Sequence, residues 1–394
     1  MKIVYLILSF LLVFIIGFIF SSDRKKIKAR PIIIMIVLEF ILSWILLNTK
    51  VGIGIIHVIS DWFGALMGTA VQGVNFVFGG MENKPGATFF LNVLLPIIFI
   101  SILIGILNYI KVLPLIIRFI GFILSKINGM GKLENYYAIT AAVIGQSEVW
   151  LTTKKQLGYL SKKRLYTLCT SSMSAVSMTI VGSYMQIIQP KYVVVAVVIN
   201  ILSALVIANI VNPYELDKEE DKLITDDTGE KPAFFQMVSD SIMDGFKVAV
   251  TVAAMLIGFM ALIYFINDIF TFIFHISFQK LIGYIFAPVA FIMGVPKQDI
   301  VQAGSIMATK LVTNEFVAMT DLREIAHHLT NRTVGIVSVF LVSFANFSSI
   351  GIITGCVKAL NPEKGDVVAK FGGKLLLGST LASILSAAIC GVFL

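Results

Sequence analysis

Charged residues are scarce in this 394-residue chain: Asp, Glu, Lys and Arg make up 14% of it, against about 25% in a typical soluble domain. Hydrophobic residues make up 57%, so much of the surface must face something other than water. Cysteine is scarce too. Cys169, Cys356 and Cys390 each stand in an apolar stretch, at spacings that suit neither a metal site nor a disulfide framework. They read as small buried hydrophobes. No glycine-rich phosphate loop is present, which argues against ATP-driven work. No acidic or histidine cluster of the kind a membrane-embedded enzyme needs for a metal stands out either. His327 and His328 sit beside Arg323 and Glu324 and read as solvated loop residues, and His57 and His275 as interfacial ones.

The net charge of +8 does not point to nucleic acid, because of where the charge lies. Its densest cluster is Arg24, Lys25, Lys26, Lys28 and Arg30, squeezed between two apolar stretches. That is how a cytoplasmic loop between membrane spans looks under the positive-inside rule. The first stretch, Ile3–Phe20, is longer than the roughly 7–15 apolar residues of a signal peptide and lacks a small-residue cleavage site, so it reads as a retained helix.

Eight stretches come close to the roughly 20 residues that cross the hydrocarbon: Ile3–Phe20, Pro31–Leu47, Phe89–Ile110, Leu165–Ile188, Tyr192–Val211, Val248–Ile266, Thr333–Val357 and Leu375–Leu394. Glu39 interrupts the second and is expected to face a neighbouring helix or an interface. Two further segments, Tyr136–Thr153 with Glu148 and Ile300–Met319 with Lys310, Asn314 and Glu315, are too polar to face lipid. Irregular backbone at membrane depth is tolerated only against protein or a cavity, so both are expected to be re-entrant hairpins. Phe278–Met293 is amphipathic and reads as interfacial.

Placing the basic loop at Asp23–Arg30 inside puts the N-terminus outside. The basic residues from Arg118 to Arg164 then fall inside, and the C-terminus outside. The acidic stretch Tyr214–Lys231 is a solvated linker on the inner side. The order span, hairpin, span, span then occurs twice from opposite faces. The chain thus reads as an all-α membrane protein with an inverted repeat, an architecture that places a substrate site near the midplane. The expected units are N-terminal, mainly scaffold helices (1–110), the first repeat with its hairpin and a broken fourth span (111–213), and the linker (214–235). The sixth span with the interfacial helix (236–297) and the second repeat with its hairpin, a broken seventh span and the eighth (298–394) follow.

Three polar clusters interrupt apolar sequence: Gly145-Gln146-Ser147-Glu148, Thr313-Asn314-Glu315 and Phe344-Ala345-Asn346-Phe347-Ser348-Ser349. An ionised carboxylate at the bilayer centre costs at least ~2.5 kcal/mol, so each glutamate needs a partner, a proton or a hydrated cavity. Amides and hydroxyls beside a phenylalanine face suit a neutral, hydroxyl-rich solute with a polar ring. They resemble neither the repeated filter of an ion channel nor the cationic pocket of an anion carrier.

These three clusters, with the run Thr309–Ala318, resemble the signature regions of the concentrative nucleoside transporter family. The Ser21–Lys26 turn and the Asn128–Gly131 loop are similar to its short bacterial NupC-type branch. The resemblance extends over essentially the whole chain. It implies a homotrimer in the bacterial cytoplasmic membrane that imports nucleosides, with uridine and other pyrimidine nucleosides expected and adenosine beside them, by cation symport. A mobile domain moves like an elevator against a scaffold, with no organic cofactor. It implies that Gln146, Ser147 and Glu148 meet the base, that Glu315, Asn346 and Ser349 meet the ribose, and that Phe344 and the Val176–Ile180 stretch border the pocket. One departure bears on the coupling ion. Sodium-coupled relatives carry an asparagine and a hydroxyl residue where this chain has Ala141 and Ala175. Alanine offers a hard cation no side-chain oxygen, leaving only backbone carbonyls around Val143 and Val176. Proton coupling is therefore expected over sodium, with Glu148 or Glu315 as carrier, since a carboxylate withdrawn from water is harder to ionise.

Overall fold

The computed structural model describes residues 2–79, 89–215 and 232–394. Most of the expected acidic linker lies outside the described residues. Among them the chain is helical, because a helix satisfies every backbone N–H and C=O within an apolar segment. Helices α1 (Lys2–Ile19) and α2 (Ala29–Asn48) form the first two expected spans. Glu39 of α2 is fully buried and accepts a hydrogen bond from Ser203 at 3.0 Å, so it does face a neighbouring helix.

A helix the sequence reading passed over follows at once: α3 (Lys50–Phe78, 29 residues), long and apolar enough to cross a membrane. Its Lys50, His57, Asp61, Gln72 and Asn75 break the charge-free pattern used to find spans. Its buried residues Ile56, Phe63, Met67, Ala70 and Val74 recur at intervals of three, four or seven residues, the mark of a helix buried along one stripe.

The remaining elements occur in two matching series. In the first, a π-helical turn leads into α4 (Ile97–Tyr109), then α5 (Val112–Asn128), α6 (Lys132–Ile144), the short α7 (Val149–Thr152) and α8 (Lys154–Leu157). Then come α9 (Lys162–Ser174), α10 (Met178–Ile187) and α11 (Pro190–Val211). The second series is α12 (Phe234–Phe274), α13 (Phe278–Ile292), α14 (Ile300–Val312) and α15 (Glu315–Ile325). It ends with α16 (Asn331–Leu341), α17 (Phe347–Leu360), α18 (Pro362–Lys370) and α19 (Gly372–Phe393). Helices α6 to α8 form one helical hairpin and α14–α15 the other. Each is followed by a helix broken in the middle, α9/α10 at Ala175–Ser177 and α16/α17 at Val342–Asn346. At 41 residues, α12 far exceeds the expected sixth span and reaches about 60 Å at 1.5 Å per residue.

Side-chain contacts fix the two ends of the molecule. At one end Ser22 meets Asn212, Asn212 donates to the Lys163 carbonyl, and Lys364 reaches the Leu160 carbonyl. There, too, Arg164 forms a two-pronged buried pair with Glu134 at 2.6 and 3.1 Å, and Tyr214 donates to the same carboxylate. At the other end Ser9 donates to the Ile292 carbonyl, Arg332 to those of Gly294 and Gly391, and Thr330 and Thr333 to Asp299. Both chain ends therefore share a face opposite the basic loops. Hairpin 1 has its base at the basic end and hairpin 2 at the other, which is the inverted repeat in geometric form. A Leu-Ile-Gly tripeptide precedes each hairpin, Leu103-Ile104-Gly105 and Leu256-Ile257-Gly258, but the two are not equivalent in packing. Gly105 abuts Ser241 of α12, where a Cβ would clash at 2.2 Å, while nothing lies within 4 Å of the position at Gly258.

Burial separates core from periphery. The apolar windows of α9/α10, α11 and α19 are 89%, 78% and 83% buried, whereas those of α1 and α12 are 17% and 11% buried. The broken helices are thus held by α11 and α19, while α1, α3 and α12 keep apolar faces outward.

Candidate functional site

The hairpin tips and the helix breaks converge. Gly145 opens the tip of hairpin 1 with φ of 107°, a conformation that glycine tolerates and other residues resist. A Cβ there would lie 3.1 Å from Ser177 Cβ, so this tip touches the α9/α10 break. Ser177 caps α10 by accepting from the Thr179 amide. Asn314 caps α15 at the tip of hairpin 2 and Asn346 caps α17 after the second break. Short polar side chains thus restart a helix at each of these points. That explains why Ser and Asn stand inside apolar sequence.

Between these elements lies a cavity of about 1300 Å³. Gln146, Ser147, Glu148, Ile180, Glu315, Phe344, Asn346 and Ser349 all line it. Residues from four separate regions of the chain are therefore brought to one space. The cavity continues past Asn108, Tyr109, Lys111 and Arg118 and the start of α12, so it opens toward the basic end. Glu315 and Asn346 stand at its inner wall.

Glu315 is the best-held group. Its Oε1 accepts from Tyr184 Oη at 2.7 Å and its Oε2 from Asn346 Nδ2 at 3.1 Å. The Asn346 Oδ1 in turn accepts from the Ser349 amide at 2.9 Å and the Ser348 hydroxyl at 2.7 Å, which fixes the orientation of the amide. Tyr184 also sets its ring edge-on to Phe316, with centroids 4.9 Å apart. The sequence reading missed Tyr184. Its signal was present, because Ile180 and Tyr184 are four residues apart and share a helix face. Gln146 Oε1 and Ser349 Oγ are buried without protein partners, and buried polar atoms ordinarily have them.

Glu148 is exposed to the cavity. Asp244 and Lys247 of α12 line the same space and act on it electrostatically; neither was singled out in the sequence. Cys356 departs from the reading given to all three cysteines. Cys169 and Cys390 are buried, but Cys356 is half-buried and lines the cavity beside Ser147. A thiol reagent entering from the basic face is expected to modify Cys356 ahead of the other two, and bound solute to slow that reaction. Mass spectrometry of labelled protein checks this; equal labelling with and without solute contradicts it.

Ala141, Val143, Ala175 and Val176 do not line the cavity. Ala141, Ala175 and Val176 are buried, and α6 packs against α9 and α10. Hydroxyls do stand nearby in sequence. Ser174 is buried and its Oγ has no protein partner, while Ser177 Oγ is bonded to Thr179 at 2.6 Å.

Comparison with known proteins adds the lineage. Three family models match in succession: the N-terminus of Na+ dependent nucleoside transporters over residues 8–81, a nucleoside recognition (gate) segment over 90–191, and the C-terminus of Na+ dependent nucleoside transporters over 192–391. The purine nucleoside transport protein NupG of Bacillus subtilis is 39% identical over 389 residues, covering 98% of each chain. The putative nucleoside permease NupX of Escherichia coli is 30% identical, again covering 98% of each. Among solved structures, CNTnw in an inward-facing substrate-bound state is 27% identical with a TM-score of 0.93. A double variant of CNTnw in an outward-facing state is 26% identical with a TM-score of 0.94. Each covers all of this chain and is itself covered to 98%. The chain is a membrane transporter rather than an enzyme, and it belongs to the concentrative nucleoside transporter family.

Proposed function

We propose that this protein imports nucleosides across a bacterial cytoplasmic membrane by cation symport, with the nucleoside held between the two hairpin tips. The observation that carries the reading is the convergence of Gln146–Glu148, Glu315 and Phe344–Ser349 on one cavity. Amide and hydroxyl groups on the hairpin 1 side suit a base edge. The Glu315–Asn346 pair suits ribose hydroxyls, which donate to a carboxylate and accept from an amide. Phe344 offers a face to the ring. The relative named for purine nucleosides shifts the expected base preference from pyrimidines toward purines.

The basic end lies in the cytoplasm under the positive-inside rule, and both termini lie outside. Keeping the loop at Asp23–Arg30 and the Arg118–Arg164 region on one side requires an even number of crossings between them. Helices α2 and α4 supply two, so α3 lies along the membrane without crossing it, and both hairpins are re-entrant. The cavity then faces the cytoplasm. The hairpins and broken helices form the mobile part of an elevator. Helices α1 to α4 and α12 form the scaffold, and three copies associate. The coupling ion is a proton, because Ala141 and Ala175 supply no side-chain oxygen while the hairpin carboxylates Glu148 and Glu315 line the cavity.

Base recognition is tested by Gln146→Ala and Ser147→Ala. A site that hydrogen-bonds its substrate discriminates because a mismatch leaves buried polar groups unpaired. Both variants are expected to change the ranking of a nucleoside panel in competition assays, by about tenfold for the most affected base. A uniform fall across the panel would remove these residues from the base site.

A further inference from the structure

Lys310 lies within hairpin 2, five residues before Glu315, and its side chain is wholly buried. It does not line the cavity. Its Nζ donates to the Phe340 carbonyl at 2.6 Å, to Ser343 Oγ at 2.6 Å and, at 3.5 Å, to Ser383 Oγ. It also stands 4.5 Å from the centroid of the Phe340 ring. Three acceptors and an aromatic face are the complement of an ammonium with its three donors. The acceptors come from the last turn of α16, the break that follows it and α19. The Phe340 carbonyl is one of those a helix leaves without an internal partner at its C-terminus. This coordination favours the charged amine against the cost of burying it.

The nearest carboxylate on the same hairpin is Glu315, and Lys310 acts on it electrostatically without forming an ion pair. The other groups facing Glu315 are Tyr184 from α10 and Asn346 from α17, both donors and both uncharged. Two donors suit the ionised carboxylate. Glu148, with Asp244 and Lys247, belongs to the opposite hairpin and its facing helix. Close to its tip, hairpin 2 therefore carries a basic group on one side, Lys310, and an acidic group on the other, Glu315, while Asp321, Arg323 and Glu324 lie farther along α15. The Lys310–Glu315 pair is neutral when Glu315 is ionised.

We propose that Lys310 is the internal counter-cation of hairpin 2, the charge that allows Glu315 to cross ionised when the carrier returns empty. The inference rests on the symport reading above. A symporter crosses in two forms, loaded with nucleoside and cation, and empty of both. In the loaded form the carried cation offsets Glu315. In the empty form nothing from solution does, and Lys310 supplies the compensation. Lys310 is thus a positioning residue that acts through Glu315 and touches no substrate.

The two crossings can be separated in proteoliposomes. Exchange of internal for external nucleoside uses only the loaded form, whereas efflux into nucleoside-free medium also needs the empty return. In Lys310→Gln, exchange is expected to stay within about twofold of the parent, while efflux at about pH 8 falls by roughly seventyfold, the equivalent of about 2.5 kcal/mol. Lowering both sides to about pH 5 favours the protonated form of Glu315 and is expected to restore efflux. Lys310→Arg keeps the charge and is expected to keep efflux at the higher pH. Loss of exchange in a Lys310→Gln protein that still binds nucleoside by calorimetry makes the residue a mechanical strut and overturns the proposal. Loss of efflux that persists at low pH, unimpaired efflux at high pH, or an arginine variant that exchanges but does not efflux overturns it as well. Absence of exchange in the parent protein counts instead against the symport reading.

Discussion

Glu315→Gln is expected to lower nucleoside uptake by roughly ten- to a hundredfold while the protein reaches the membrane at its normal level. The loss follows from the geometry around one carboxylate. Glu315 accepts from Tyr184 and Asn346 at once, and an ionised acceptor retains lone pairs for a sugar hydroxyl. Hydrogen bonds to charged groups are worth about 1.5–3 kcal/mol, which converts to the factor given. A glutamine keeps the volume but has a single acceptor oxygen. Asn346 cannot flip to accommodate it, because its own oxygen is already committed to the Ser349 amide and Ser348. The new amide oxygen must face Asn346, and its NH₂ then points at the Tyr184 hydroxyl, which loses its acceptor. Initial-rate uptake in cells with surface quantification measures the effect. Parental uptake in this variant would remove Glu315 from the sugar site.

The second large effect concerns the driving ion. If a proton is the coupled cation, the carrier is loaded from the outside in its protonated form and empties inside after the proton leaves. Uptake into proteoliposomes is therefore expected to rise as external pH falls at fixed internal pH. It is expected to collapse with a protonophore and to survive replacement of sodium by choline. Sodium-dependent uptake that ignores a protonophore under clamped potential would instead place a sodium ion on backbone carbonyls around Val143 and Val176, with Ser174 and its unpartnered hydroxyl as an added oxygen. Restoring the missing oxygens with Ala141→Asn and Ala175→Ser is the converse experiment. Both positions are buried and small, and hard cations take oxygen ligands, so the double variant is expected to gain sodium stimulation that the parent lacks.

Much of this architecture was legible in the sequence because lipid imposes simple rules. Charge-free runs of the right length marked α1, α2 and α11 to within two residues of their ends, and α4 together with the π-helical turn that leads into it. Polar groups inside apolar sequence marked the hairpin tips and the second helix break; at the tip of hairpin 2 and at that break a short polar cap restarts a helix. What the sequence hid has physical causes. Helix α3 carries charge and histidine on one side, so a search for uncharged runs passed over it, although its buried face is regular. The inner half of α12 was lost for the same reason. Asp240, Asp244 and Lys247 read as the end of a span, whereas they line the cavity. Tyr184 and Cys356 looked like ordinary residues of apolar helices. Their importance comes from what stands opposite them in space, Glu315 and Ser147, which are 131 and 209 positions away along the chain. Local pattern carries no record of such pairings.

The central claim is that this cavity belongs to a carrier that moves nucleosides, and counterflow tests it most directly. Purified protein is reconstituted into vesicles loaded with unlabelled nucleoside, and entry of trace labelled nucleoside is followed with no ion gradient. A carrier whose site faces one side at a time trades one molecule for another. The label is therefore expected to accumulate transiently above its equilibrium level, for a purine nucleoside at least, and the overshoot to vanish in Glu315→Gln. Entry that only approaches equilibrium, at a rate indifferent to internal nucleoside, would describe a channel and contradict the account.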